Sequence, residues 1–382
     1  MLLTPSRANR IEGFSYSFNQ GKWTSIHESD IDYFLCRWCP YLLQEQFNSG
    51  PYWIRNVGKR SSFKYYDAGS EKSIRIHNGE DVPVERYIAY QLLRRNDIEP
   101  SHTPEILSFS KRALVIRYGG LGDVLMTLPA LAAAKAASPR VSFDYSTSDA
   151  FVRILEGNPS VDRVFGYTGY NGGDYDLVID LRRYAEAAED SASVSRIDIF
   201  SRPFGVPITD YSMPYTVFEA DREAVRDRVP DRAVVVQASG SIPRRTPPKS
   251  KILEIISGLQ AMGYSPVVVD NVRDEDYNCV TNLTGTLTIA ELFAVVEMSE
   301  FVIAGDSGVL HIANSLKKRN VGLFGCVDHK LRITDQPHCT PIQCNEFSKC
   351  GPCNDHQTRQ CDRPDLCLAS VPTDLILEKV AE

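Results

Sequence analysis

The chain has no apolar run approaching the roughly 18 residues that a membrane-spanning helix needs, so only peripheral membrane contact is expected. Its first residues, MLLTPSRANRIEG, lack the basic region and apolar core of a secretory signal, which makes a cytoplasmic location the expectation. A basic excess is missing too. With 42 Lys and Arg against 49 Asp and Glu, the formal charge of −7 argues against a generally basic nucleic-acid binder. The glycine-rich turns match neither G-x-G-x-x-G nor a Walker loop with its lysine, which disfavours a nicotinamide oxidoreductase. In a reducing compartment the ten cysteines are expected to be free or metal-bound rather than paired.

What is present points to an α/β protein. Over its 382 residues the chain has room for two or three domains, each burying its own core. Residues 113–137 read ALVIRYGGLGDVLMTLPALAAAKAA: a buried strand, a glycine turn at Gly119, Gly120 and Gly122, then a helix. Such a turn sets backbone N–H groups and a helix dipole at the carboxyl end of a strand, where open α/β sheets bind anionic ligands. Asp123 sits there, either as a functional carboxylate or as the cap of its helix.

Strands expected at 141–145, 161–166 and 176–181 alternate with helices to about residue 218, among them a polar helix-like segment from 182 to about 200, and residues 216–230 read as a hinge. A second alternating set begins with strand 233–237. Helix 252–262 and strand 266–270 follow, then a capping box at Thr288 and Glu291, strand 301–304 and helix 309–316.

The string GGLGDVLMTLPAL resembles the N-terminal signature of the ADP-heptose:lipopolysaccharide heptosyltransferase family, glycosyltransferase family nine, which reads G-D-V-L-x-T-x-P-A-L there. YDLVIDL and the block from Asn282 through DSGVLHIA to LFG are similar to two further family elements. The likeness runs from about Leu114 to the C-terminus and leaves the first hundred residues unassigned.

It implies a GT-B fold, two Rossmann-like domains facing a cleft, with domains at 109–222 and 223–382; ahead of them residues 1–108 read from their own pattern as a small α+β module, with helices expected at 24–46 and 84–95. It further implies an inverting glycosyltransferase moving a sugar from a nucleotide-diphosphate sugar to a saccharide hydroxyl, with Asp123 as base. Donor contacts would come from Gly120, Gly122, Thr284, Gly285, Asp306, Ser307, Gly308 and His311. Leaving-group charge would be met by Arg244, Arg245 or Lys249, although Thr246-Pro247-Pro248 replaces the family's K-x-W-P. No metal is implied for catalysis, since Asp174-Tyr175-Asp176 fits loop and strand entry better than a D-x-D ligand.

Two features lie outside that frame. Residues 52–66 interleave aromatic and basic side chains, and Arg55, Lys59 and Arg60 are candidates for acceptor binding. They keep open a macromolecular acceptor, a hydroxylated DNA base or a protein side chain, beside the glycan. The C-terminal Cys350, Cys353, Cys361 and Cys367 carry a C-x-x-C knuckle that fits either a structural zinc or free thiols. The remaining alternative is a non-catalytic sugar-nucleotide-binding protein that kept the fold.

Overall fold

The computed structural model describes residues 15–17, 22–24, 52–56, 62–67, 72–84, 98–100, 111–170, 174–182, 184–188, 191–348, 350–353 and 366–382. They fall into two compact units, Met1–His102 with Asn171–Val178, and Thr103–Tyr170 with Ile179–Glu382.

The first unit is built of short strands: β1 (Ser15–Ser17), β2 (Lys22–Thr24), β3 (Tyr52–Asn56), β4 (Ser62–Asp67), β5 (Lys72–His77), β6 (Asp81–Val84) and β7 (Ile98–Pro100). β1 pairs with β2, β4 with β5, and β3 lies between β6 and β7; every pairing is antiparallel. The helices expected at 24–46 and 84–95 lie outside the described residues, apart from Thr24 and Val84, which are in strands.

The parallel architecture begins at β8 (Arg112–Ile116), with β9 (Ser142–Ser146), β10 (Arg163–Phe165) and β11 (Leu177–Asp180) in the order β10-β9-β8-β11. Ala113 to Ile116 are fully buried, as a central parallel strand covered on both faces must be. Helix Leu121–Ala137 follows directly, with Val124, Leu125, Leu128 and Leu131 in the core.

The second sheet uses β12 (Ala233–Gln237), β13 (Ser265–Val269), β14 (Thr281–Asn282), β15 (Phe301–Gly305), β16 (Asn320–Phe324) and β17 (Cys339–Gln343). Its order is β14-β13-β12-β15-β16-β17, parallel throughout. The order reverses beside β12, which opens a crevice between the loops after β12 and β15. Thr288 and Glu291 form the expected capping box at the start of helix Ile289–Met298.

Three expectations change. The single helix-like stretch from 182 to 200 is instead two short helices, Tyr184–Ala187 and Arg196–Ser201. Residues 216–230 contain the helix Glu219–Val225, and Arg222 grips Glu297 of the neighbouring helix at 2.6 and 2.8 Å, so part of the expected hinge is tied to the second half. Asp123 is not a helix cap: Gly120 holds that position, without a side-chain hydrogen bond.

Candidate active site

The two parallel halves line one cleft of about 1320 Å³. From the first half come Gly120, Gly122, Asp123, Glu186 and Arg196; from the second come Gln237, Arg245, Asp270, Asp306, Ser307, Gly308, His311 and Arg332. Each group sits at the carboxyl end of its sheet, where the strands deliver their loops.

Two glycines are dictated by geometry. Gly119 has φ of +104°, a region that side chains other than glycine rarely occupy. At Gly122 a Cβ would lie 2.4 Å from His311 Cδ2, so only glycine lets helix Gly308–Ser315 of the second half approach helix Leu121–Ala137.

The Asp123 carboxylate is enclosed by arginines. Arg117 Nη2 donates to its Oδ2 at 2.5 Å, and Arg196 Nε lies 2.7 Å from its Oδ1. Arg117 is further fixed by Leu181 O at 2.8 Å and by both Glu186 oxygens at 3.2 and 3.3 Å. Arg196 also donates to Glu186, and both guanidiniums sit over the Phe200 ring. Burial favours the neutral acid of Asp123, but Arg196, then Arg117 and Arg332, outweigh it and hold the carboxyl well below the usual range. Burial likewise opposes ionisation of Glu186, and Arg117 with Arg196 again prevails.

The second half presents positive charge and open N–H groups. Asp306 is buried, 3.3 Å from Arg245 Nε and 3.7 Å from Arg332 Nε. Burial lowers Arg332 to about 10, against the pull of Asp306. Ser307 is the N-cap residue of helix Gly308–Ser315 but makes no side-chain cap hydrogen bond; its hydroxyl donates to Gln237 Oε1 at 2.5 Å instead. The first N–H groups of that helix are therefore not taken by a side-chain cap, the arrangement that binds phosphate at helix N-termini. Ser239 Oγ donates to Asp270 Oδ2 at 2.5 Å on the same rim. Burial drives His311 down to about 4, leaving a neutral imidazole whose Nδ1 has no partner among the described residues.

Several anticipated residues stand elsewhere. Arg244 is buried, with its Nη1 3.8 Å from Cys353 Sγ, and does not line the cleft. Lys249 is held by Asp274 at 2.8 Å and by Asp276, away from the lining. Thr284 is fully buried and binds Asp274 N and Asn282 Oδ1, while Gly285 turns with φ of +63° against the Arg273 backbone. Both shape the loop without lining the cleft.

Arg55 is on β3 of the first unit, opposite Asp81 and Glu99, and Lys59 and Arg60 lie outside the described residues. Cys350 and Cys353 are exposed and Cys367 buried, and Cys361 lies outside the described residues. Cys344 is the thiol in hydrogen-bond contact with Cys367, which also contacts Cys350. Among the described residues no three His, Cys, Asp or Glu side chains are arranged as a ready metal site.

Arg117, Glu186, Arg196, Asp270 and Arg332 were not anticipated from sequence. Arg117 closes the strand before the glycine turn, a visible signal; the others are gathered by folding alone.

The sequence profile of glycosyltransferase family 9 (heptosyltransferase) matches residues 162–360, just over half of the chain. The chain belongs to this glycosyltransferase family. Lipopolysaccharide heptosyltransferase 3 of Escherichia coli (strain K12) is 23% identical over 277 residues, which cover 54% of this chain and 80% of the relative. The structure of the E. coli ADP-heptose lps heptosyltransferase II superposes with a TM-score of 0.56 at 13% identity, over 71% of this chain and 97% of that one. The iron-containing dodecameric glycosyltransferase TibC from enterotoxigenic E. coli H10407 reaches a TM-score of 0.58 at 12% identity, over 87% of this family 9 chain and 91% of its own. The shared fold is the GT-B arrangement expected from the sequence. No described helix of this family 9 protein is long and apolar enough to cross a membrane.

Proposed function

We propose that this glycosyltransferase transfers a heptose-type sugar, with inversion, from ADP-heptose or a related nucleotide-diphosphate sugar to a hydroxyl of a lipopolysaccharide-type glycan. The observation that carries the reading is the opposition across one cleft of Asp123 and a cation-lined helix N-terminus with Arg245 and Arg332. The names of the matched lipopolysaccharide heptosyltransferases support donor and acceptor class. The cytoplasmic location expected from the sequence goes with this reading.

In the reaction the acceptor hydroxyl attacks the anomeric carbon while Asp123 takes its proton. The bond from that carbon to the diphosphate oxygen breaks, and its electron pair leaves with the nucleoside diphosphate. Arg245, Arg332 and the N–H groups of the helix starting at Gly308 receive the developing charge without needing a metal to bridge it. Attack and departure on opposite faces in a single displacement invert the centre.

The same reading gives the cysteine-rich segment a structural ion, zinc or iron, held by Cys350, Cys353, Cys361 and Cys367. Of these four, Cys350 and Cys367 are in contact, and paired soft thiols are donors that such ions select. Metal analysis of the purified protein finding well under one ion per chain removes this part.

The test of the main reading is transfer from ADP-heptose to truncated lipopolysaccharide acceptors by wild-type protein and Asp123→Asn. Loss of turnover with ADP binding intact supports it. Full activity of the variant would refute the assignment of the base.

A further inference from the structure

Arginines lie against both oxygens of Asp123 and weaken it as a base, and the two arginines are not held alike. Arg117 is anchored by Leu181 O, by both oxygens of Glu186 and by a 2.5 Å hydrogen bond to Asp123. Its side chain is only 4% exposed. Arg196 is the looser partner. It hydrogen-bonds Glu186, but its Nε approaches Asp123 Oδ1 at 2.7 Å without hydrogen-bond geometry. It also lines the cleft, on the side opposite Arg332, and the two positive charges oppose each other.

We propose, on the reading of Asp123 as base, that Arg196 is a latch: it covers Asp123 in the empty enzyme and transfers to the donor's diphosphate when donor binds. The diphosphate fits as the charge that draws it off, because Arg245, Arg332 and the helix N-terminus already mark where that group sits. Arg196 then bridges the ligand from the first half while those groups hold it from the second. One carboxylate oxygen of Asp123 is released toward the acceptor; Arg117 keeps the other in place. The base is uncovered only when a donor is present, so donor binds before Asp123 is free to take a proton. Arg196 is thus a positioning residue for Asp123 and a direct ligand of the donor.

The test is a binding cycle read by calorimetry with ADP and, as a probe of the diphosphate alone, pyrophosphate. Arg196→Gln should weaken both about tenfold, the size of one lost charge-assisted hydrogen bond. Asp123→Asn should tighten both about threefold or more, because Arg196 no longer has a competing partner. That tightening should disappear in the Arg196→Gln/Asp123→Asn double variant, and Arg196→Lys should restore most of the affinity.

The latch is overturned if Arg196→Gln leaves both affinities within twofold of wild type. It is equally overturned if the Asp123→Asn tightening persists at full size in the double variant, since that would be simple removal of a repelling charge. If neither ADP nor pyrophosphate binds the wild type, the latch and the donor assignment fall together. Asp123→Asn folded but active refutes the base and leaves the binding cycle to judge the hand-off. Asp123→Asn and Arg196→Lys keep the question decidable should Arg196→Gln not fold.

Discussion

Gly122 and His311 belong to different halves of the cleft, and the missing side chain of one is the space that the ring of the other needs. A Cβ on Gly122 would stand 2.4 Å from His311 Cδ2 and 3.2 Å from its Nε2. Gly308, at the start of the His311 helix, similarly rests against Leu121, where a Cβ would be 3.0 Å from a Leu121 methyl. The glycines of the G-G-x-G turn therefore set the approach of one helix to another as well as the path of the backbone.

Gly122→Ala should force that approach open. Overpacking of a buried contact costs about 1–3 kcal/mol, and the displaced helix carries Asp306's neighbours with it. The expected result is a urea midpoint lowered accordingly and a larger loss in kcat/KM than stability explains. Adding His311→Ala to Gly122→Ala should recover much of the stability but little of the activity, as a double-mutant cycle in urea would show. Additive stability losses would mean that the two residues do not share this contact.

Asp123→Asn should reduce kcat by about 10²–10⁴, the range for loss of a positioned general base. Its fold should survive, since the amide oxygen still accepts from Arg117. Transfer assays beside circular dichroism check both halves of this expectation.

The cations divide into those that face the cleft and those that do not. Arg245→Ala and Arg332→Ala should each lower kcat about 10²–10³-fold, as expected when a donor to developing charge is removed from a preorganised site. Lys249→Ala should stay within about threefold of wild type, because its partners are Asp274 and Asp276 on the surface. Steady-state kinetics across the three variants decides which positive charges receive the leaving group.

The fold and half of the site could be read from the chain because their signals are local. A branched-aliphatic strand, a glycine turn and a periodic helix announce the first half at 113–137, and the Thr288–Glu291 box with DSG announces the second. Asp123, Asp306 and His311 could be placed for the same reason. Arg196 could not: it is 73 positions from Asp123, in a stretch that reads as one polar helix, and only the break before Arg196–Ser201 aims it at the carboxylate. Arg332 follows an irregular loop after β16 and owes its role to burial beside Asp306. The basic run at 244–249 misleads in the opposite sense. Three cations close in sequence are split by a turn and a helix start, so that only Arg245 lines the cleft.

His311 offers a prediction about stability rather than rate. Its ring is buried and its pKa is driven down to about 4, whereas the unfolded chain takes up a proton near 6.5. Above pH 6.5 the imidazole is neutral in both states and costs nothing. As pH falls from 6.5 toward 4 the unfolded chain binds a proton that the folded protein refuses, so stability is lost across that window, by about 3 kcal/mol at most. Below about 4 both states are protonated and the loss stops growing. Asp306 and Asp123 favour the charged ring while Arg332 and Arg245 oppose it, and burial outweighs them all. His311→Gln removes the titration, so its stability should fall less steeply than wild type between pH 6.5 and 4, whatever its offset at pH 7. Urea titrations at four or five pH values would show this as a difference curve rising toward acid; parallel curves would mean that His311 takes up its proton in the folded protein as readily as in the unfolded chain.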